Sequence, residues 1–349
     1  MKKTGYLLFS FFALVLMFNA CSTDVDLYAD YKNITVVYGL LDSDKDTNYV
    51  KINKAFLGPG NAKDIALIAD SCNYPFKLDA RIIEYRSNIS GNNYQKTREM
   101  VLDTLTITNK KQDGLFYAPR QLVYYTKEPI HSNTESEKYK YELLIDRGDT
   151  ILSAETAMVG GYNFNTHYNF YITTALASFS AQFGTPVKFY PCPNAAIYEV
   201  VMKFRFTEVG PYQDSVHHCM EWSLGTYTDA NLYENIEHGQ YVVNYKSSIF
   251  YSELAKYLGQ HCDTINSNVD RVVRDKAVCI SIAAGGEELY NFISVNGPSS
   301  SIVQNIPEYS NIKGGYGVFS SRTMIEKWVN FNSINDLTRK HSNWKFRQG

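Results

Sequence analysis

The chain is short of charge, of cysteine and of long apolar runs, and each shortage removes a class of function. Lys and Arg number 34 against 36 Asp and Glu, and no basic block stands out, so nothing marks a nucleic-acid surface. One apolar run occurs at residues 7–18, broken only by Ser10, and no comparable run follows it. A bilayer-spanning helix takes roughly 20 such residues, so none is expected in the rest of the chain. The six cysteines show no framework spacing, so a small disulfide-stapled scaffold is excluded. Also missing are a Gly-x-Ser-x-Gly elbow, a His-Glu-x-x-His helix and a phosphate-binding Gly-x-x-x-x-Gly-Lys loop. Ser342-Asn343-Trp344-Lys345 matches Ser-x-x-Lys, but that pair works only on a buried helix that lowers the lysine pKa, and a chain terminus offers no such burial.

What is present begins at residue 1. Lys2 and Lys3, the run at 7–18 and the small residue Ala20 are the parts of a secretory signal. The run is too short to span a bilayer and is expected to be removed rather than kept as an anchor. Cys21 follows at once, and the junction resembles the lipobox of bacterial lipoproteins, which implies an acylated Cys21 as mature N-terminus; Phe18 is bulkier than that motif's usual Leu or Val. Loss of Lys2 and Lys3 moves the formal charge from −2 to −4. The polar, acidic residues 21–33 read as a lipidated tether. An oxidising compartment allows up to two disulfides among Cys72, Cys192, Cys219, Cys262 and Cys279, and the spacing names no pair.

With 28 Tyr and 19 Phe the chain favours strands, because aromatic side chains fit a pleated, half-buried surface. Strand patterns with turn residues between them fall at 34–41, 49–56, 77–85, 98–108, 114–125, 138–146 and 150–159. Seven short strands predict an N-terminal immunoglobulin-like β-sandwich over 34–160, without the Cys–Trp–Cys core of antibody domains. Gly160-Gly161 marks a boundary, and a second β-rich domain with short helical insertions is expected over 161–349. Its strands fall at 170–179, 187–190, 196–207, 215–223, 241–245 and 277–283. One helix is expected at 248–258, stopped by Gly259, a second at 287–293, and a long loop at 225–240.

Two segments carry a family likeness. Val36-Val37-Tyr38-Gly39-Leu40-Leu41-Asp42, followed by Tyr49-Val50-Lys51-Ile52-Asn53-Lys54-Ala55-Phe56, resembles the opening of an uncharacterised family of Bacteroidota outer-membrane lipoproteins. Asn311-Ile312-Lys313-Gly314-Gly315-Tyr316-Gly317-Val318-Phe319 is similar to that family's closing signature. Both signatures are structural rather than catalytic. The likeness implies a fold, an outer-membrane address and a partner, since genes of the family often lie beside those of TonB-dependent receptors. Ser22-Thr23-Asp24-Val25-Asp26 looks like the acidic signal that exports such lipoproteins to the outer face, which implies surface display over a periplasmic orientation.

Chemistry-bearing residues are sparse. His217-His218-Cys219 offers zinc-type ligands, but on a strand His217 and Cys219 share a face while His218 points away. Two ligands do not close a tetrahedral site; His238 and His261-Cys262-Asp263 complete it only if folding brings them close, so no metal or cofactor is assigned. Glu221, Asp229, Glu234 and Glu237 gather around the loop at 225–240, where separation rather than number decides glycosidase chemistry. Trp222, Tyr227 and Tyr233 border the same loop; they either close the end of the domain or stack on a sugar or a partner. The expected function is a non-enzymatic binding or accessory lipoprotein for an outer-membrane protein such as a TonB-dependent transporter. The alternative is a surface glycan- or nutrient-binding module using the loop aromatics, and a hydrolase without a recognisable motif comes third.

Overall fold

The computed structural model describes residues 32–57, 62–88, 90–108, 120–210, 215–234, 236–262, 268–297 and 308–349. The expected signal, Cys21, most of the tether and the first part of the strand expected at 114–125 lie outside these. The protein is mainly β, with several sheets and a few short helices, as its composition predicts.

Eight strands build the first lobe: β1 (Lys32–Leu41), β2 (Asn48–Leu57), β3 (Asp79–Asn88), β4 (Gln95–Val101), β5 (Asp103–Thr108), β6 (Arg120–Thr126), β7 (Glu137–Asp146) and β8 (Ile151–Ala157). They pair as β1-β2-β6-β5 and β4-β3-β7-β8, which is the strand order of an immunoglobulin sandwich with its extra edge strand on the second sheet. Alternation supplies the core: Val37, Leu41, Val50 and Ile52 face Ile82, Met100, Leu143 and Ile145 across the layers. The strand expected at 98–108 is extended throughout but changes sheets at Leu102. That side chain is fully buried, and its N–H donates to Ala80 O at 2.9 Å. Two short helices, α1 (Ala62–Ala66) and α2 (Ala69–Cys72), follow β2.

Asn133 fixes the exit from this lobe. Its amide donates to Met158 O and Gly160 O at 2.8 and 3.0 Å, and its oxygen accepts from Tyr139 N at 3.1 Å. Gly161 follows at φ +79, where a Cβ would lie 2.1 Å from Asn133 O, so only glycine fits. The segment expected as a strand at 170–179 is largely irregular. After the hairpin β9 (Tyr162–Asn163) and β10 (Tyr168–Asn169) it holds only β11 (Leu176–Ala177).

The second lobe is built on long strands, β13 (Ala195–Val209) and β14 (Ser215–Thr228), preceded by β12 (Val187–Phe189). Helix α3 (Asp229–Tyr233), β15 (Ile236–Glu237), β16 (Gln240–Val243) and helix α4 (Ser247–His261) follow. The chain then adds β17 (Asp270–Val273), β18 (Val278–Gly286), helix α5 (Glu287–Asn296), β19 (Tyr316–Phe331), helix α6 (Ile334–Lys340) and β20 (Phe346–Gln348). Tyr198, Val200, Met202, Phe204 and Phe206 line the inner face of β13 and meet Phe250, Leu254 and Leu258 of α4. Burial of each such side chain contributes about 1.5–3 kcal/mol, which outweighs the roughly 1 kcal/mol cost of Gly259. Gly259 therefore does not stop the helix, which runs on to His261.

The two lobes share one strand. Residues 316–321 of β19 pair in parallel with β1, and residues 322–329 pair antiparallel with β18, joining both lobes in an 11-stranded sheet. Ile312 and Phe319 belong to the core of the sandwich. The boundary expected at 160 thus ends the run of sandwich strands, while the closing signature returns from the far side of it. All five cysteines of the described residues are free, so none of the disulfides that the sequence allows is formed among them.

Candidate functional site

Residues 225–240 are not the long loop their composition suggests. β14 continues to Thr228, whose side chain caps α3 by accepting from Asn231 N at 3.2 Å. Alternation along β14 turns Trp222 inward, 8 % exposed, edge-on to Tyr245 at 5.4 Å and beside Phe250 at 6.1 Å. Trp222 is therefore a core residue, not a contact for ligand. Tyr227 is half-buried and donates its hydroxyl to Leu224 O at 2.8 Å. Tyr233, by contrast, is 69 % exposed and lines a cleft of about 490 Å³. Tyr162, Phe164 and Asp229 also line it, and Lys138 reaches it from the sandwich, so the cleft spans both lobes.

The four carboxylates do not form a working pair. Asp229 accepts from Tyr241 Oη at 2.6 Å, Glu237 pairs with Lys188 at 2.5 Å, Glu221 lies 3.9 Å from Lys203, and Glu234 is exposed. Ser342 and Lys345 are both exposed, as a chance Ser-x-x-Lys match should be.

A tighter cluster lies at the other end of β13. Glu208 is buried and paired across the ladder with Arg271 of β17, Nη2 to Oε1 at 2.7 Å, while Arg271 Nη1 donates to Trp344 O at 2.8 Å. His218 points inward from β14, stacked on Phe206, with Nε2 3.2 Å from Glu208 Oε2. Cys262, which ends α4, brings Sγ to 3.8 and 3.9 Å from the two ring nitrogens. Burial and then the Glu208 charge push the Cys262 thiol up to about 11, so it stays protonated and is a poor nucleophile at neutral pH. Ligand atoms of Glu208, His218 and Cys262 all lie within 4.8 Å of one another.

Folding thus unites His218 with Cys262 and separates the rest of the histidine and cysteine candidates. His217 is exposed and bonded to Thr207, Cys219 is exposed, and His261 packs on Tyr257. His238 sits at φ +51 in a turn, and Asp263 lies outside the described residues. Glu208 and Arg271 were not read from the sequence. The available signal was an acid in phase with the buried face of a strand, after Phe204 and Phe206.

The third feature is an apolar groove on the outside of the sandwich. Residues 34, 36, 38 and 40 of β1 turn outward, yet Ile34, Val36 and Tyr38 are apolar or aromatic on that face. Helix α5 lies beside them, with Tyr38 edge-on to Phe292 at 6.0 Å, and no residue of α5 is buried. Together with Ile293 and Tyr316 these residues line a groove of about 750 Å³. Tyr38, Ile293 and Tyr316 are 46, 49 and 48 % exposed.

Among the described residues no helix is long and apolar enough to cross a membrane. No protein-family model matches the chain, and no curated protein matches it significantly. The likeness to outer-membrane lipoproteins therefore rests on its two signatures.

Proposed function

We propose that this protein is a lipid-anchored, non-enzymatic accessory subunit that docks on an outer-membrane β-barrel protein, such as a TonB-dependent transporter, through the groove between β1 and α5. The groove carries the reading, because an apolar face open to solvent marks a protein-interaction site. It begins at Ile34, next to the tether. Residues 22–31 span at most about 35 Å when extended, so an acylated Cys21 would hold the groove close to the membrane surface. The neutral Cys262 thiol and the scattered carboxylates favour binding over catalysis. The test is in-cell photo-crosslinking from position 293. Capture of one barrel protein, lost on Phe292→Ala, is the expected result; no barrel adduct, or one indifferent to Phe292→Ala, would sink the proposal.

The exposed ring of Tyr233 favours a second reading, a glycan or nutrient seated in the cleft between the lobes. On that reading Tyr233→Ala abolishes calorimetric binding of surface oligosaccharides while crosslinking from position 293 is unchanged.

A further inference from the structure

We propose that Glu208, His218 and Cys262 form a binding site for a zinc-class divalent cation, with Arg271 holding the carboxylate in place. The ligand set is chemically apt: thiolate, imidazole and carboxylate are the three side-chain types that bind zinc. The two edges that meet at His218 Nε2 are apt in length as well. With metal–sulfur bonds of about 2.3 Å and metal–nitrogen or –oxygen bonds of about 2.0–2.2 Å, the edges of a tetrahedron measure roughly 3.6 Å for N···S and 3.3 Å for N···O. His218 Nε2 lies 3.9 Å from Cys262 Sγ and 3.2 Å from Glu208 Oε2.

The thiol is committed to neither ring nitrogen, since Sγ stands almost equally far from both. A rotation of the Cys262 side chain would bring it onto a metal held by Nε2. Binding releases the thiol proton to solvent as the metal–sulfur bond forms. Arg271 supplies the outer contact that a metal-bound carboxylate needs for orientation. The three ligands come from β13, β14 and the end of α4, so the cation would clamp the helix terminus to the sheet. Glu208 lies thirteen positions along β13 from Ala195 at the cleft, about 40 Å at the rise of a strand, so the site is distinct from the cleft.

A hydrogen-bonded cluster around Arg271, with Cys262 as filler, is the competing account, and cobalt separates the two. Titration of the reduced mature protein with Co²⁺ should give a thiolate-to-metal charge-transfer band that saturates at one equivalent and is bleached by Zn²⁺. Cys262→Ser should abolish the band, His218→Gln should weaken Co²⁺ binding tenfold or more, and Cys219→Ser should leave it intact. Zn²⁺ at a hundredfold excess over Kd should raise the melting temperature by about 5 °C in the wild type and not in Cys262→Ser. Absence of the band from the folded wild type, or its survival in Cys262→Ser, overturns the proposal. Should Cys262→Ser fail to fold, alkylation of the wild type decides: Zn²⁺ must slow modification of Cys262, and an unchanged rate overturns the site.

Discussion

Glu84 gathers polar contacts from three separate segments of the sandwich. Its carboxylate receives Thr97 Oγ1 at 2.9 Å and Arg98 Nη2 at 2.8 Å, and lies 2.8 Å from His131 Nδ1 and 2.9 Å from Tyr141 Oη. Tyr141 Oη in turn accepts from His131 N at 2.7 Å, tying the middle of β7 to the connection before it, much as a tyrosine corner ties a strand to its preceding loop in immunoglobulin sandwiches. Burial raises the Glu84 pKa, but hydrogen bonds from Thr97, Tyr141 and Arg98, with the Arg98 charge, outweigh it and hold the carboxyl below its ordinary 4.5. A carboxyl depressed in the folded state stabilises the fold above its unfolded pKa, and that contribution is lost as pH falls through the folded pKa. Glu84→Gln should therefore cost about 2 kcal/mol at pH 7, read from urea midpoints, and the gap to wild type should close in acid. Equal midpoints at pH 7 would refute it. Nothing in the sequence singled out Glu84, because its partners come from three separate segments. Tyr233 was legible as an aromatic at the loop expected over 225–240; for Trp222 packing and ligand contact both stood open in the sequence, and alternation along β14, which puts it on the buried face, decides for packing.

Strand β19 shows why an element can hide from pattern reading. Its 16 residues cross two environments, sandwich first and second lobe after, so no single alternation runs through Tyr316–Phe331. The polar centre, Ser320-Ser321-Arg322-Thr323, interrupts the apolar pattern in the sequence. In the fold it is the seam between lobes: Ser321 Oγ donates to Ala157 O at 2.7 Å, Ser320 Oγ to Glu288 at 2.9 Å and Thr323 Oγ1 to Asp44 at 2.9 Å. The closing signature was legible as a glycine-rich motif, and the parallel pairing explains it. Gly317 has φ +113, and a Cβ there would lie 1.9 Å from Val37 O on β1. Gly314 also has positive φ, at +81, but its nearest neighbour would be 3.8 Å away. Gly314→Ala should cost about 1–2 kcal/mol from backbone strain alone. Gly317→Ala adds a backbone clash and should cost about 4 kcal/mol or more. Thermal melts of the two variants test this: equal losses would mean that β1 and β19 do not approach as closely as the pairing requires.

At the scale of the molecule, sharing β19 makes the sandwich incomplete without the end of the chain. The local strands were largely readable, as seven segments with β4 and β5 read as one, because most alternate over a short span and end in a turn; their completion was not, since it depends on residues almost 300 positions away. Without residues 308–325 the sandwich loses Phe319, fully buried, and Ile312 from its core, and it exposes the edge of β1. A buried aromatic alone is worth about 3–5 kcal/mol, against a total stability of roughly 5–15 kcal/mol for a domain. A fragment of residues 32–160 should therefore melt without a cooperative transition and bind a hydrophobic dye. The peptide 308–325 supplied in trans should restore a cooperative melt, and the same peptide carrying Gly317→Ala should not. Cooperative melting of the fragment by itself would show that its core closes without Phe319. In that case β19 would be a strap laid over a finished sandwich, and the two lobes would be separate folding units rather than one.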